Sequence, residues 1–554
     1  MKRVIIGLAA VVVLGIAGVL SVREYKSWRR ARLTASAQEY LKKGDYRNAA
    51  LTAHQAVTGD PSNVGACRVL ADLAELSRST NALFWRQRVV ELTPEDPAPQ
   101  LLLARTALLL SRWDVASNAL GTIEKHPAIA QSSDFQKLRG NLAWSTHDWA
   151  RADTHFEAAL RLEPTNEIAR MNLNLVRLVN TNASLAAGAR SALIEQSGHR
   201  VLGGTILRQL LEDAARRGDW PAAVQFSEKL NQGTPTLPDR LQYLSLLHDK
   251  RPAGFAPALA STQSLVSTNS KDAAVVAQWM IQGQMRDAAW TWVKSLDNAV
   301  RGQRPVQQVL AELMVLRSDW AGMTKYLTPL DWQETDYWRQ LLLARSAREE
   351  KNALASRNHW LRCLKASGNS LEHLVHLSKT TEIWGWREEM EDSLALLVRT
   401  YPDQRWAEEY LASSLHRSGK TVALQNLFAR SLEHNPSNNL AKSNFAILGL
   451  LLDPKDSKYH RLMAEAYAND STNAFVVSSY AMSLHLQRKT LEGIQALEKL
   501  PKERLEQAAI AVWYGYLLAE SGQTQRAAPY LAKVEKTTLL PEEKKLLGRF
   551  VKTS

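Results

Sequence analysis

Residues 416–424 read His-Arg-Ser-Gly-Lys-Thr-Val-Ala-Leu. Gly419-Lys420-Thr421 matches the end of a phosphate-binding loop, G-x-x-x-x-G-K-[ST], whose backbone amides cradle phosphates and whose lysine reaches the terminal ones. The rest of the motif is absent. Its first glycine would fall on Ser414, and residues 406–416 are charged and helical in pattern where a buried strand is needed. His373 and His376, three apart, share one helix face and could begin a metal site, but Glu372 points elsewhere and no third ligand is evident. His147 and His155 flank a turn as surface residues. No G-x-S-x-G, G-x-G-x-x-G or C-x-x-C occurs. Two lone cysteines, Cys67 and Cys363, exclude a disulfide framework and cysteine-based zinc or iron–sulfur sites. The expectation is a chain that is not an enzyme, with no catalytic residue, metal or cofactor.

The elements holding these residues come from the whole chain. It has 554 residues, 45% hydrophobic, with only 26 Gly and 19 Pro. That is helix-forming composition, too long for one ordinary domain unless the domain is a repeat array. Three blocks repeat: residues 40–63, 144–166 and 415–438. Each has a turn residue, usually a small residue five later, a proline seventeen later and an asparagine nineteen later. The sets are Gly44/Pro61/Asn63, His147/Pro164/Asn166 and Gly419/Pro436/Asn438, and Gly218 keeps the turn-to-proline spacing with Pro235. A glycine past a helix takes the left-handed cap cheaply. Ala49, Ala152, Ala223, Ala288 and Ala527 let a second helix approach the first, while Phe156, Phe428 and Leu531 fill the groove. Pro61, Pro164 and Pro436 are expected to end their units by stopping the second helix, and Asp, Ser or Asn starts the next. Gly419 is then the turn of a helix pair, Leu424 takes the small-residue slot, and Lys420 is an exposed turn residue like Asp45 and Asp148.

These blocks resemble the tetratricopeptide repeat (TPR), a 34-residue helix pair. Residues 514–531 do so too, with Gly515 at the family's small first-helix position and Gly522 at the turn. Gly419 lies four periods after Gly283, and Gly44 to Gly522 spans about fourteen periods. The departures are His147 in place of the turn glycine, Leu424 in place of the small residue, and missing prolines. More broadly the chain is similar to single-pass, membrane-anchored bacterial TPR proteins, among them long ones from the Verrucomicrobia. The resemblance implies an all-α fold, a right-handed superhelical solenoid of antiparallel helix pairs preceded by one transmembrane helix. It implies protein partners in a concave groove lined by the first helices. Trp113, Trp149, Trp220 and Trp320 near turns are expected to pack at helix junctions, and Trp384 and Trp386 fit that slot less well.

Residues 4–22 are uncharged and mostly apolar, enough to span a bilayer, although Gly15-Ile16-Ala17 would also serve as a signal-cleavage site. The first 32 residues carry +6 of the net +13, leaving a mildly basic body that argues against nucleic acid. Lys2 and Arg3 favour an extracytoplasmic, periplasmic body, while the basic cluster after the span opposes that orientation. The expected organisation is an anchor with basic flank over 1–32, TPR-like repeats over 33–235, divergent TPR-like repeats over 236–400 and C-terminal repeats over 401–554. The expected function is a membrane-anchored scaffold or adaptor, with envelope assembly, export or polymer secretion as settings. The alternatives are a regulatory subunit or enzyme activity in the divergent middle, and a polysaccharide- or nucleic-acid-binding solenoid.

Overall fold

The computed structural model describes residues 28–534 and 538–548, and all regular structure among them is helical. The expected span at residues 4–22 lies outside the described residues. Among those described, no helix is long and apolar enough to cross a membrane. The chain forms two compact units, Met1–Thr268 and Asn269–Ser554.

Each unit is a series of helix pairs, and most of them are made by one local device. At Gly44 the backbone turns to φ +77°. The N–H groups of Gly44 and Asp45 donate to the carbonyls of Leu41 and Tyr40, at 3.1 and 3.0 Å, and so close the first helix. The Asp45 carboxylate then accepts the Asn48 N–H at 3.2 Å and opens helix Tyr46–Gly59. The same arrangement recurs at His147-Asp148, Gly218-Asp219 and Ser318-Asp319. Gly419 and Gly522 turn at φ +67° and +85°.

The prolines stand just past the second helices. The second helices end two residues before Pro61, Pro164 and Pro436, at Gly59, Leu162 and His434, and the residue preceding each proline has left the helical region, as a following proline ring requires. The residue just before each proline (Asp60, Glu163 or Asn435) already closes the helix, its N–H donating to a helix carbonyl at 2.9 Å. Its own carbonyl then accepts the N–H of Asn63, Asn166 or Asn438 at 3.0 Å. Pro61, Pro164 and Pro436 thus stand second in a four-residue turn, where a ring-fixed φ fits. All three are exposed and fill no packing position between helices. Asn63, Asn166 and Asn438 cap the next first helices.

Glycine is not needed at the turn inside a pair. Arg78, Ser111, Gln284, Ser318, Lys351 and Arg488 occupy the positive-φ position as well. From Gln284 through Ser318, Lys351 and Gly385 to Gly419 the turns fall 33 or 34 residues apart. The segment 236–400 is therefore built of helix pairs like the rest, including Ser270–Gln282 with Arg286–Ser295 and Asp336–Glu349 with Ala353–Ser367. One register assignment also needs correction. The left-handed residue is Gln284 rather than Gly283, so Ala288 is exposed and Ala289 takes the buried small position.

Within each pair, small residues set the distance. Ala49, Ala152, Ala223 and Ala527 are buried, as are Phe156 and Leu424, and Phe428 is half-buried beside Leu424. A Cβ on Gly140 would lie 2.7 Å from the Phe156 ring, and one on Gly515 would lie 2.9 Å from Tyr530 Cβ. Those contacts exclude any larger residue without movement. First helices pack on the next first helices within a unit, as Asn439–Leu452 does on Ala474–Leu486 and that helix on Ala508–Glu520. This leaves one face of each unit composed of first-helix side chains.

Candidate functional site

A phosphate cradle needs free amides, and those of Gly419 and Lys420 are both taken. Gly419 N–H donates to the His416 carbonyl at 3.0 Å and Lys420 N–H to the Leu415 carbonyl at 2.9 Å. Lys420 Nζ lies 2.7 Å from the Glu391 carboxylate, which is buried and also accepts from Ser414 Oγ at 2.7 Å and Ser418 Oγ at 3.1 Å. Burial works to raise the Glu391 carboxyl, but Lys420 and the two hydroxyls outweigh it and hold the group below its ordinary range. Lys420 is thus the counter-charge of a buried acid, not a bare turn residue. Thr421 is buried and donates to Glu542, and a Cβ on Gly419 would stand 3.2 Å from Pro541.

The histidines are engaged structurally. The Tyr337 ring stacks on His373 at 4.2 Å, its hydroxyl is 3.1 Å from His376 Nδ1, and His373 Nδ1 is 3.2 Å from the Ser367 carbonyl. Among the described residues no group of three His, Cys, Asp or Glu is placed to hold a metal. His147 packs against Trp149, and His155 Nδ1 pairs with Gln136 at 2.8 Å. Both cysteines are buried, and burial pushes both thiols up. The tryptophans near turns are half-buried or buried at junctions, except Trp220, which is exposed. Trp149 packs edge-on against Trp144, Trp220 lies under Lys250, Trp386 under Arg348, and Trp320 beneath Arg345.

The second unit carries two recesses on its first-helix face. One, of about 800 Å³, spans Ser270–Gln282, Arg304–Leu316, Asp336–Glu349 and Leu371–Ile383. Helical spacing puts Trp338, Leu342 and Arg345 on this face, while Leu341 and Ala344 point into the core. Trp384 and Val309 complete the apolar surface, and Gln278 donates to Glu312 at 3.3 Å across two helices. Arg345 is central. Its guanidinium lies 4.4 Å from the Trp384 ring centre, and burial holds its pKa below the ordinary arginine value against the opposing charge of Glu349. Lys271 and Glu312 give the rim both signs of charge, so the face is not a basic track.

The other recess lies on Arg405–Arg417, Asn439–Leu452, Ala474–Leu486 and Ala508–Glu520, and part of it is filled by the chain itself. Residues 538–548 return across these helices. Leu540 is buried with Leu411, Leu415 and Leu424, and Leu539 and Leu547 are buried with Ile510 and Leu517. A short helix, Pro541–Leu546, begins there, and Glu543 folds back to accept the Leu540 N–H at 2.8 Å. Beside Leu540 and Glu543 a cavity of about 360 Å³ stays open, walled by Phe475, Met482 and Trp513.

The first unit has its own recess of about 640 Å³ on Ala98–Leu109 and Ser133–Ser145, edged by Arg68–Asp96 and Lys137–Asp134 pairs. A cleft of about 1050 Å³ opens between second helices Arg387–Thr400 and Thr421–His434, with Arg399, Arg405 and Arg430 interleaved with Glu388, Glu408 and Glu433.

Sequence reading did not find Trp338, Arg345 or the docking role of Gly419 and Thr421. The first two sit where turns lack glycine, so the first-helix face could not be phased. The signal was the spacing of Trp338, Leu342 and Arg345 itself.

No protein-family model matches the chain, and no curated protein matches it. Solved structures do. The pilF protein of Pseudomonas aeruginosa is 16% identical, covering 41% of this chain and 99% of its own, with a TM-score of 0.32. PilW, a type IV pilus biogenesis factor, is 18% identical over 37% of this chain and 92% of its own, with a TM-score of 0.32. The TPR domain of P58(IPK) is 13% identical over 92% and 99%, with a TM-score of 0.21. The helix-pair architecture assigned above stands on its own turn and packing geometry.

Proposed function

We propose that this chain is a non-catalytic adaptor of tetratricopeptide type, held at a membrane by residues 4–22, whose first-helix faces receive extended segments of partner proteins. One observation carries the reading. The recess of Trp338, Trp384 and Arg345 joins apolar rings, a half-desolvated guanidinium and hydrogen-bonding Gln278 and Glu312 on a rigid helical surface. Trp and Arg dominate binding energy where water is excluded, and polar groups beside them fix register. The recess lies open along the helices, which suits a strand of protein better than a reacting small molecule.

The test is photo-crosslinking in cells with a photoreactive residue at Trp338 or at the exposed second-helix position Arg362. Discrete protein adducts are expected from the first and not from the second. Equal labelling at both, or none at Trp338, would reject the assignment. A topology reporter fused to the C-terminus, together with membrane fractionation of the full chain, tests the tether and its expected extracytoplasmic body.

A further inference from the structure

Residues 538–548 read Thr-Leu-Leu-Pro-Glu-Glu-Lys-Lys-Leu-Leu-Gly and make their contacts far from their place in the chain. Pro541 meets the Gly419 turn, Thr421 donates to Glu542, and Glu543 lies 4.0 Å from His416 Nε2. Leu539, Leu540 and Leu547 supply the apolar anchors. Among the described residues, the helices of eight or more residues in this unit are each held by a partner helix in a pair. This segment has one six-residue helix and rests on helices up to four pairs earlier. Elements with so few contacts open at the low end of a protein's local stability range.

The surroundings are not saturated. The cavity beside Leu540 and Glu543 exposes half of Phe475 and is walled by Trp513 and Met482. Ser478 Oγ, buried in the same wall, has no hydrogen-bond partner. An orphan hydroxyl and an exposed ring next to a docked peptide mark a surface longer than the peptide that occupies it.

We infer that residues 538–548 are a removable occupant of this groove, and that the groove receives in trans a protein segment of the same chemistry. That segment has paired leucines, a helix-starting proline, two acidic residues in the first turn and a leucine one helical turn beyond. The inference rests on the adaptor reading and names the kind of partner one of its grooves takes. The acidic positions are specified by the Thr421 hydroxyl and the His416 edge, and the proline by the bare Cα of Gly419. A longer partner continues past Leu540 over Phe475 and supplies a polar atom to Ser478. The resident segment then sets a threshold, because a competitor binds only the fraction of molecules with the groove vacated.

The experiment uses the full chain and a fluorescein-labelled peptide of residues 538–548. Binding is read by anisotropy on the natural chain and on Leu540→Asp, which disfavours the docked segment. Amide exchange at 539–547 is measured in both. The expected result is exchange at 539–547 faster than in Asn439–Leu452 in the natural chain, and peptide binding at least about tenfold tighter in Leu540→Asp. If Leu540→Asp loses helical content, Leu547→Asp serves in its place, and the exchange comparison on the natural chain needs no variant. Peptide binding equal in both proteins, binding in neither, or exchange at 539–547 as slow as in Asn439–Leu452 overturns the proposal. Adducts at Trp338 report on the separate recess. Failure here with crosslinks there rejects this groove's occupant and leaves the adaptor reading standing.

Discussion

At the scale of single residues, the turn between paired helices decides most of what the chain can tolerate. A left-handed conformation costs a non-glycine residue about 1–2 kcal/mol. Ser318 and Lys351 sit at φ +54° and +60° with their amides already donated to carbonyls of the helix they end. Glycine at either position is expected to raise stability by about 0.5–1 kcal/mol, seen as a higher urea midpoint. Lys420 behaves in the opposite sense. Lys420→Ala leaves the buried Glu391 carboxylate with two hydroxyls and no counter-charge. Lys420 is itself partly exposed, so the loss is expected to be about 1–2 kcal/mol rather than that of a fully buried pair. Loss of amide protection over Arg387–Thr400 and Arg405–Arg417 measures it, and Glu391→Gln on that background should restore most of it. Glycine, proline and asparagine made the regular turns readable in sequence. The turns at Arg78, Gln284 and Lys351 were not readable, because packing overrides a penalty of about 1 kcal/mol without leaving a residue signature.

At the scale of elements, the docked segment carries its own acid-base response. Burial is the main influence on Glu543 and pushes its carboxyl up to about 7, with the Glu542 charge acting the same way and the Leu540 N–H against it. The docked state therefore binds a proton more readily than the free segment, whose carboxyl has the ordinary value of 4.5. Docking weakens as pH rises through about 7, by up to about 1.4 kcal/mol per pH unit above the free value. His416 opposes this from the facing helix: burial lowers its pKa, so protonation below its ordinary value of 6.5 favours the undocked state. Between the two, the segment is expected to show lower amide protection, relative to the intrinsic exchange rate at each pH, at pH 8 than near pH 6.5. Glu543→Gln should flatten that difference, and a pH response unchanged in Glu543→Gln would refute the assignment. Nothing in the sequence pairs Thr421 with Glu542. They lie 121 residues apart, and no local pattern encodes so distant a contact.

At the scale of the whole molecule, two compact units of neighbour-to-neighbour contacts predict unfolding in more than one phase. Amide exchange under increasing urea should show each unit losing protection as a block, with residues 538–548 the first to open. Arg345→Ala should lower partner adducts at Trp338 about tenfold, with unchanged helical content by circular dichroism. The helix-pair class was readable from spacing over the regular stretches. The functional faces were not, since a face needs every turn phased and the glycine-free turns broke the phase through the middle of the chain.

The left-handed turns have one more consequence. Their backbone groups are satisfied by the helices they join, and the side chains of Arg78, Ser111, His147, Lys351 and Arg488 are not required by that closure. Each unit thus carries a spaced row of positions where, glycine and the His147 contact with Trp149 apart, one side chain can replace another at little cost to folding. Charge, hydroxyl or aromatic character can be rewritten there one turn at a time, which is how a helical array of this type can change what its edge adheres to while its core sequence stays as it is.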